Sequence, residues 1–385
     1  MRGLFAVLRT ELYRILTTRP ALAALVIGPL IYALYYPQPY RNEALRDVPI
    51  ALVDLDGTDS SRQFARRLDA SSDVAIAAVL PDEKSAEREV YARDLYGMLV
   101  IPQHFERDVL HGRQSPVALY GDASYFLVYQ RISGAVAAVA RAFGAEVESA
   151  RLIAMGVDPA IAAAASDPMP LTAVALFNPQ GGYATYILPA ALVLILQQTM
   201  LMGIGLLGAI EDDRTSSDPM AASAGPVSLV LGKMLAYLTV EAVIFPFYLI
   251  VLPYLYDIPR LGSFETIAIF SIPFVLSASA LGLIIARLFR RPVVVQLVGA
   301  ALGLPFIFLA GFTWPIEAVP EPLRTIALVL PSSTAIAGIV EVSQLGASLS
   351  DVGHAFLTLW VLAVVYALVA MQLEKFHLRS AAAAP

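Results

Sequence analysis

Two aspartates at the end of a short apolar run are the residues of this sequence best suited to chemistry. Residues 50–53 are apolar and lead into residues 54–58, which read Asp-Leu-Asp-Gly-Thr. Two carboxylates in this arrangement can act on a phosphate ester, because Asp54 could attack phosphorus, Asp56 could carry the proton and Mg²⁺ could bridge the charges. The segment therefore has a catalytic interpretation, which the rest of the sequence must support or oppose.

The segment resembles the first motif of haloacid-dehalogenase-type phosphotransferases, but the later parts of that family's pattern are missing. That family also needs a long cytosolic-type core, a matching downstream lysine and a late acidic pair for the metal, and the nearest acidic cluster, at residues 211–213, is expected across a membrane from the segment. The alternative is a tight turn formed by Asp56 and Gly57. Asp59 or Ser60 would then cap the following helix. We favour the turn and predict no metal site.

Three polar side chains interrupt long apolar stretches. Glu241 lies about twelve residues into its stretch, which is near the middle of a spanning helix at ~1.5 Å per residue. An unpaired carboxylate is strongly disfavoured there, so Glu241 must face protein, a cavity or a partner. A substrate or proton role stays open, although we favour a structural hydrogen bond. Gln197 and Gln198 are expected to join helices rather than to bind cargo.

The elements that must position these residues are six apolar, nearly uncharged stretches. They are residues 21–36, 184–210, 229–256, 264–286, 293–312 and 352–372. Most are long enough to cross about 30 Å of hydrocarbon as a helix. The composition agrees, because 58% of the residues are hydrophobic and only 15% are charged, against about a quarter in soluble domains. The sequence predicts a polytopic α-helical membrane protein with six transmembrane helices and excludes a cytosolic enzyme.

One long polar insertion separates the first two spans. The predicted organisation is an amphipathic interfacial helix at 1–19, transmembrane helix 1 at 20–36, an α/β domain with a long helix at 37–183, transmembrane helices 2–6 at 184–372 with short re-entrant helices near 313–345, and a tail at 373–385. The insertion holds 13 basic and 19 acidic residues, which accounts for the whole net charge of −6. We therefore expect no nucleic acid partner. The absence of cysteine excludes disulfides and thiolate metal sites.

Basic residues indicate which side of the membrane each loop occupies. They flank the starts or ends of spans one, four and six, at Arg2, Arg9, Arg14, Arg19, Arg287, Arg290, Arg291, Lys375 and Arg379. Cytoplasmic flanks keep Lys and Arg, so both termini are predicted to be cytoplasmic in a bacterial inner membrane, with the insertion in the periplasm. Within residues 1–19, apolar side chains recur at helical spacing with arginines away from them, which is typical of an interfacial helix.

The insertion alternates strand and helix patterns. Short apolar runs predict strands at residues 50–53, 74–80, 98–101 and 117–120. Helical patterns fall between them, at residues 60–68, 82–92 and 103–110. An alanine-rich stretch without proline then predicts one long helix at about residues 124–155. The insertion is therefore expected to be a small α/β domain of about four strands.

The second half carries a recognisable order of motifs. Residues 310–320 read AGFTWPIEAVP and residues 330–338 read LPSSTAIAG. This order resembles the signature of ABC exporter permeases of the ABC-2 type, an aromatic-Pro-Ile segment followed by Pro and then by a Leu-Pro run that reaches a threonine. The positions that carry the resemblance are Trp314, Pro315, Pro331 and Thr334. It implies short helices that dip into the outer leaflet before the last span.

Two further regions resemble the same family. The loop between spans two and three has its acidic-basic start at Glu211, Asp212, Asp213 and Arg214 and its end at Gly225, Pro226 and Lys233, although residues 215–220 replace the usual Gly-Thr-Leu-Glu. The resemblance implies that this loop meets an ATPase, with Arg9 and Arg14 of the N-terminal helix as a second docking element. Residues 53–56, 68–71, 99–107 and 120–124 resemble the subgroup with one large periplasmic domain.

The chain has no ATP site of its own. Residues 225–233 contain two glycines and Lys233, but six residues separate the glycines and Met234 stands where Ser or Thr must hold Mg²⁺. We therefore expect a non-catalytic subunit without a cofactor. The resemblance implies cytoplasmic ATPase subunits that carry ATP and Mg²⁺, and a second copy or a paralogous permease. It also allows for a periplasmic adaptor of the membrane-fusion type as a further partner, and membrane lipid would surround the spans.

The sequence thus predicts the permease subunit of an ATP-driven ABC exporter, which moves an amphipathic, drug-like or lipid-like compound outward. Two alternatives stay open. One is a membrane-anchored periplasmic phosphohydrolase that uses Asp54 and Asp56 with Mg²⁺. The other is a membrane scaffold or receptor that transports nothing, for which no ATPase would copurify.

Overall fold

The chain folds into two compact units, each with its own core. The computed structural model describes residues 2–41, 44–179, 181–212 and 224–382. The membrane unit comprises Met1–Glu43 and Ala175–Pro385, and the α/β unit comprises Ala44–Val174. Among the described residues, six helices are long and apolar enough to cross a membrane. This agrees with the prediction of a polytopic helical protein with about six spans, and a bent helix pair at residues 321–343 would make a seventh if it crossed as one span.

The six spans follow an amphipathic helix, α1 (Arg2–Thr17). Spans one to six are Arg19–Tyr40, Tyr183–Ile210, Pro226–Leu255, Phe264–Phe289, Pro292–Leu309 and Gly353–Arg379. Spans one and three are not continuous α-helices, because each contains a π-helical turn, at Ala23–Ile27 and at Phe247–Val251. The second of these turns follows Pro246, whose ring removes a backbone donor from the helix.

The α/β unit is a four-stranded sheet with helices on both faces. Its strands are β1 (Val48–Asp54), β2 (Val74–Val79), β3 (Gly97–Ile101) and β4 (Ala118–Gly121). Its helices are α2 (Asp59–Asp69), α3 (Glu83–Ala92), α4 (Phe105–Leu110), α5 (Phe126–Ala154) and α6 (Pro159–Ser166). Every strand predicted from the apolar runs is present, with bounds shifted by at most a few residues.

The sheet order is β2-β1-β3-β4, with β4 antiparallel to β3 and the other pairs parallel. The central strands β1 and β3 are buried on both faces, which explains why they read as continuous apolar runs. One face of the sheet packs Ile50 and Leu99 against Phe64, Phe105 and Phe143 of the helices. The carboxyl end of β1, where Asp54 lies, is therefore anchored in the core.

Two helices lie between spans five and six. They are α7 (Glu321–Ala327) and α8 (Pro331–Ser343), and they meet at an angle of 80°. Their position matches the segment predicted to hold short re-entrant helices. Pro331 is the first residue of α8, a position that suits proline because the first N–H of a helix has no partner within it.

Contacts at the span ends show that consecutive spans run in opposite directions. At one end, Gln38 Nε2 donates to Tyr256 Oη at 2.7 Å, which joins the ends of spans one and three. The rings of Tyr40 and Tyr183 lie 5.6 Å apart, which places the start of span two at the same end. There Gln344 Nε2 donates to the Thr185 carbonyl at 2.6 Å and joins α8 to span two. We call this the Tyr256 end of the membrane unit.

The opposite end gathers the other span termini. Arg287 Nε and Glu374 Oε2 lie 2.5 Å apart and join the ends of spans four and six, with both side chains buried. Gly208 packs against Ala286, which brings the end of span two beside the end of span four. Helix α1 and the start of span three complete this end, which we call the Arg287 end.

Candidate coupling surface and intramembrane site

The carboxylate of Asp54 holds the turn after β1. Its Oδ1 accepts from the backbone N–H groups of Asp56 at 3.1 Å and Gly57 at 2.9 Å. Its Oδ2 accepts from Ser61 Oγ at 2.7 Å, which ties the turn to the first turn of α2. Gly57 has a φ of +62°, a backbone conformation that favours glycine. Both oxygens therefore serve the local fold.

Asp56 also accepts hydrogen bonds within the protein. Thr58 Oγ1 donates to its Oδ2 at 2.5 Å, and the N–H of Glu106 donates to the same oxygen at 3.0 Å. Burial raises the pKa of Asp56, but the hydrogen bonds from Thr58 and from the backbone of residues 104–106 lower it below its ordinary value overall. Among the described residues, no group of three or more His, Cys, Asp or Glu could hold a metal. These contacts support the turn interpretation.

The predicted cap of α2 is wrong. Thr58 is the N-cap, and its side chain accepts from the N–H of Ser61 at 3.3 Å. Asp59 and Ser60 were the predicted caps, but the helix begins at Asp59, so both residues already have helical geometry. The extended backbone that an N-cap needs occurs at Thr58, directly after the glycine turn.

Helix α1 packs against the first turns of span three. A Cβ at Gly232 would lie 2.8 Å from Val7 Cβ and 2.9 Å from the Leu4 carbonyl oxygen, so only glycine allows this close approach. Val7 also forms a small buried cluster with Ala224 and Leu229. The two segments predicted to dock an ATPase, the N-terminal helix and the end of the loop before span three, are therefore neighbours.

Buried polar groups reinforce this contact. Tyr237 Oη of span three donates to Glu11 of α1, and Glu11 is only 2% exposed. Arg14 lies 3.9 Å from the other oxygen of Glu11, whereas Arg9 is exposed. Lys233, predicted as part of the coupling loop, is instead buried within span three. Glu11 was not among the predicted site residues, because its partner Tyr237 lies on a distant helix.

The remaining coupling residues fall at the edges of the described chain. Gly225 is the N-cap of the span-three helix and Pro226 is its first residue. Glu211 and Asp212 are the last residues of the helix that begins with span two. Asp213 and Arg214 lie outside the described residues. The structure thus brings the end of the predicted loop to α1 and does not test its acidic start.

Glu241 lies in the membrane unit between spans three and four. It is 2% exposed, and its Oε2 has no hydrogen-bond partner among the described residues. It lines a cavity of about 380 Å³. The other residues of the wall come from both spans, and they are Leu238, Ala242, Phe245, Pro246, Ile250, Phe264, Ile267, Ala268, Ser271, Ile272 and Val275. The structural hydrogen bond favoured for Glu241 is not made by this oxygen.

Gln197 and Gln198 join helices in the structure. Gln197 Nε2 donates to Ser332 Oγ at 2.9 Å, which links span two to α8. Gln198 Nε2 donates to the Gly299 carbonyl of span five. The Oε1 atom of each glutamine is buried without a partner among the described residues. Each amide therefore uses only part of its hydrogen-bonding capacity for packing.

One of the motif residues before span six, Thr334, lines a second cavity. Trp314 is 58% exposed and precedes Pro315, which is followed by a 3₁₀ turn. Thr334 lines a cavity of about 510 Å³ together with Tyr186 and Arg324. This cavity lies toward the Tyr256 end, because Tyr186 follows directly after Thr185 at the start of span two.

Comparisons with known proteins agree with this architecture. The family model described as "ABC-2 family transporter protein" matches residues 20–371. The linearmycin resistance permease protein LnrN of Bacillus subtilis is 23% identical over 88% of each chain. The probable multidrug ABC transporter permease YbhS of Escherichia coli is 25% identical over 40% of this chain and 42% of its own length.

A eukaryotic protein is also similar. ABC transporter G family member 23 of Dictyostelium discoideum is 19% identical over 80% of this chain, which spans 43% of that longer protein. The family model covers the α/β unit, the whole of spans two to five and most of spans one and six. On this match, the chain belongs to the ABC-2 family of transporter proteins.

Proposed function

We propose that this chain is the permease subunit of an ATP-driven exporter in a bacterial inner membrane, and that it moves an amphipathic, drug-like or lipid-like compound outward. Family membership supports a transmembrane transport subunit. The names of two relatives refer to linearmycin resistance and to multidrug transport, which supports outward movement of a drug-like compound. ATP hydrolysis is assigned to a separate subunit.

The contact between α1 and span three is the observation that carries the coupling part of this proposal. We define the coupling surface as α1 with Gly225, Pro226 and the loop residues 211–214. Gly232 allows close approach of the two helices, and the hydrogen bond from Tyr237 to Glu11 ties them further. A partner that pushes on α1 would therefore move span three, because closely packed helices move as one body.

The charges of the membrane unit support a proposal for which end faces the cytoplasm. The Arg287 end holds α1 and the arginines that follow span four, and cytoplasmic flanks keep such residues. We therefore place this end and both termini in the cytoplasm. The α/β unit follows span one at the Tyr256 end and would then lie in the periplasm, where it could extend the exit path or contact an adaptor.

A second permease, identical or paralogous, would complete the transporter. Only 18% of the apolar window of span five and 28% of the windows of spans one and six are buried within this chain. Spans two and four reach 78% and 72% by the same measure. The poorly buried spans thus offer the surface that a second permease or lipid must cover.

Crosslinking tests the coupling surface directly, because the chain has no native cysteine. We would introduce Arg9→Cys and Val227→Cys, which replace exposed residues at the surface, and coexpress the chain with the ATPase encoded beside it. Both variants should trap the ATPase with a short bifunctional maleimide, and Asp122→Cys in the α/β unit should not. Trapping from Asp122→Cys alone would contradict the proposal.

Charge reversal at Glu211, Asp212 and Asp213 tests the acidic start of the loop. Acidic residues suit a basic partner, and ion pairs at a rim are screened by salt. We expect the triple variant to insert normally while its ATP hydrolysis is uncoupled from export. Normal export by this variant would remove the acidic residues from the coupling surface.

A further inference from the structure

The cavity beside Glu241 has a mostly apolar wall that contains one acidic side chain. Among the described residues of its wall, Glu241 is the one titratable side chain and Ser271 is the only other polar side chain. The Ser271 hydroxyl already donates to the Ile267 carbonyl at 2.6 Å. The wall therefore presents an unpartnered carboxylate oxygen and no free side-chain donor to satisfy it.

A backbone acceptor lies next to this carboxylate. Pro246 has no N–H to donate to the carbonyl of Ala242, which precedes it by four residues on the wall. The N–H of Phe247 donates to the Ile244 carbonyl. The break in the helix at Pro246 thus removes the usual i+4 donor of the Ala242 carbonyl, next to a Glu241 Oε2 that has no hydrogen-bond partner among the described residues.

The rest of the wall is apolar and partly aromatic. Phe245 and Phe264 contribute rings whose faces attract cations. Phe264 and Ile272 are 52% and 36% exposed, and Ala242 is also exposed, so the cavity opens on the side of spans three and four. A volume of about 380 Å³ lies in the range of sites for drug-sized molecules.

We propose that this cavity binds a lipophilic amine, with its ammonium group on Glu241 and its apolar body between Phe245 and Phe264. This inference rests on the proposed export function and narrows its substrate class. An anion would meet the carboxylate without a donor to balance it. A neutral amphiphile would bury the carboxylate without a charge partner, which an apolar environment strongly disfavours.

Photolabelling of the purified full chain in lipid nanodiscs tests the inference. The probe is dodecylamine that carries a diazirine in its alkyl chain, and the matched probe is the corresponding dodecanol. Mass spectrometry should place the amine label in peptides that contain residues 238–250 or 264–275. Excess dodecylamine should remove that label, and excess dodecanol should leave it.

Glu241→Gln is the decisive variant, since it keeps the size of the side chain and removes its charge. We expect about tenfold less amine labelling, because a hydrogen bond to a charged group is lost. Glu265→Gln is the matched control, because Glu265 is an exposed acid of span four outside the cavity wall, and it should label like the native chain. Phe264→Ala should reduce amine labelling through the lost ring contact, and it should be tolerated by the fold because Phe264 is 52% exposed.

Equal amine labelling of the native chain and Glu241→Gln would overturn the inference, as would equal labelling by amine and alcohol. If Glu241→Gln does not fold, the native comparison of amine with alcohol still decides the question. The experiment needs no ATPase. A failure here therefore leaves the crosslinking result intact, and a failure of crosslinking leaves the amine site intact.

Discussion

The acidic side chains of the two units differ in the partners that their carboxylate oxygens have. In the α/β unit, Asp54 accepts three hydrogen bonds and Asp56 accepts two, all from residues within the same sheet edge. In the membrane unit, Glu374 is paired with Arg287, whereas Glu241 Oε2 has no hydrogen-bond partner within the part of the chain that the structure describes. The contrast is clearest between Asp54, whose two oxygens accept three hydrogen bonds, and Glu241, whose Oε2 accepts none from the described residues.

This difference shows that a carboxylate's partners reveal more than its sequence context. The Asp-x-Asp segment has the stronger chemical pattern, yet its oxygens are engaged in a turn. Glu241 belongs to no motif, yet it faces a cavity without a partner. An acid that satisfies its own fold has little left to offer a ligand, whereas a buried acid without a partner needs one.

Breaking the ion pair between Arg287 and Glu374 in the membrane unit should have the largest effect on stability. Glu374→Ala leaves Arg287 buried without its ion pair, and we expect a loss of about 3–5 kcal/mol in the free energy of unfolding. The double variant Arg287→Leu/Glu374→Leu should recover most of this loss, because neither charge stays buried. Thermal unfolding in nanodiscs would measure both. A negligible effect of Glu374→Ala would show that water reaches the pair.

Glycines that pack closely should behave differently from glycines that do not. Gly232→Ala places a Cβ against Val7 and the Leu4 backbone, so we expect a loss of about 1–3 kcal/mol and weaker coupling to the ATPase. Gly134→Ala in α5 meets no atom within 4 Å, and it should stabilise the α/β unit by about 0.5–1 kcal/mol. Similar effects of both variants on ATP-driven transport would argue against the coupling surface.

Asp54→Asn should weaken the α/β unit without removing a chemical step. The amide can accept through only one atom, so part of the network with Gly57 and Ser61 is lost, at about 1–2 kcal/mol. Hydrogen exchange of the full chain, followed by mass spectrometry, would report the weaker sheet. A Mg²⁺-dependent phosphatase activity of the native chain that disappears in Asp54→Asn would restore the phosphohydrolase alternative.

The smallest expected effect is the pH dependence of the stability that Asp56 contributes. Because hydrogen bonds lower the pKa of Asp56 in the folded chain, its contribution to stability is present above its ordinary pKa of about 4 and is lost as the pH falls through the lower folded value. Asp56→Asn should therefore differ from the native chain at neutral pH and converge with it in strong acid. Hydrogen exchange at several pH values would follow this, and a constant difference would refute the assigned cause.

Local patterns were sufficient to predict the spans and the strands. The six apolar stretches and the four short apolar runs are governed by hydrophobic periodicity, which depends on neighbours within a few residues. The predicted N-cap of α2 was wrong because two polar residues follow Thr58. Only the backbone conformation distinguishes the true cap from them. Short elements of this kind are fixed by φ and ψ rather than by residue type.

The candidate sites could be predicted only in part. Glu241 was recognisable as an acid in an apolar span, but its cavity is built from residues of two spans, and each of them is an ordinary packing residue on its own. Glu11 escaped notice because its partner Tyr237 lies on another helix, 226 positions away in sequence. Tertiary contacts of this length leave no local pattern.

Labelling of opposite faces of the membrane tests the central claim most directly, because an exporter permease needs its coupling loop and its α/β unit on different sides. Asp213→Cys and Asp122→Cys would be treated with an impermeant maleimide in intact spheroplasts and in inverted vesicles. We predict that Asp122→Cys reacts in spheroplasts and Asp213→Cys reacts only in inverted vesicles. Reaction of Asp213→Cys in intact spheroplasts would invert the topology and contradict the assignment of this chain as an exporter subunit.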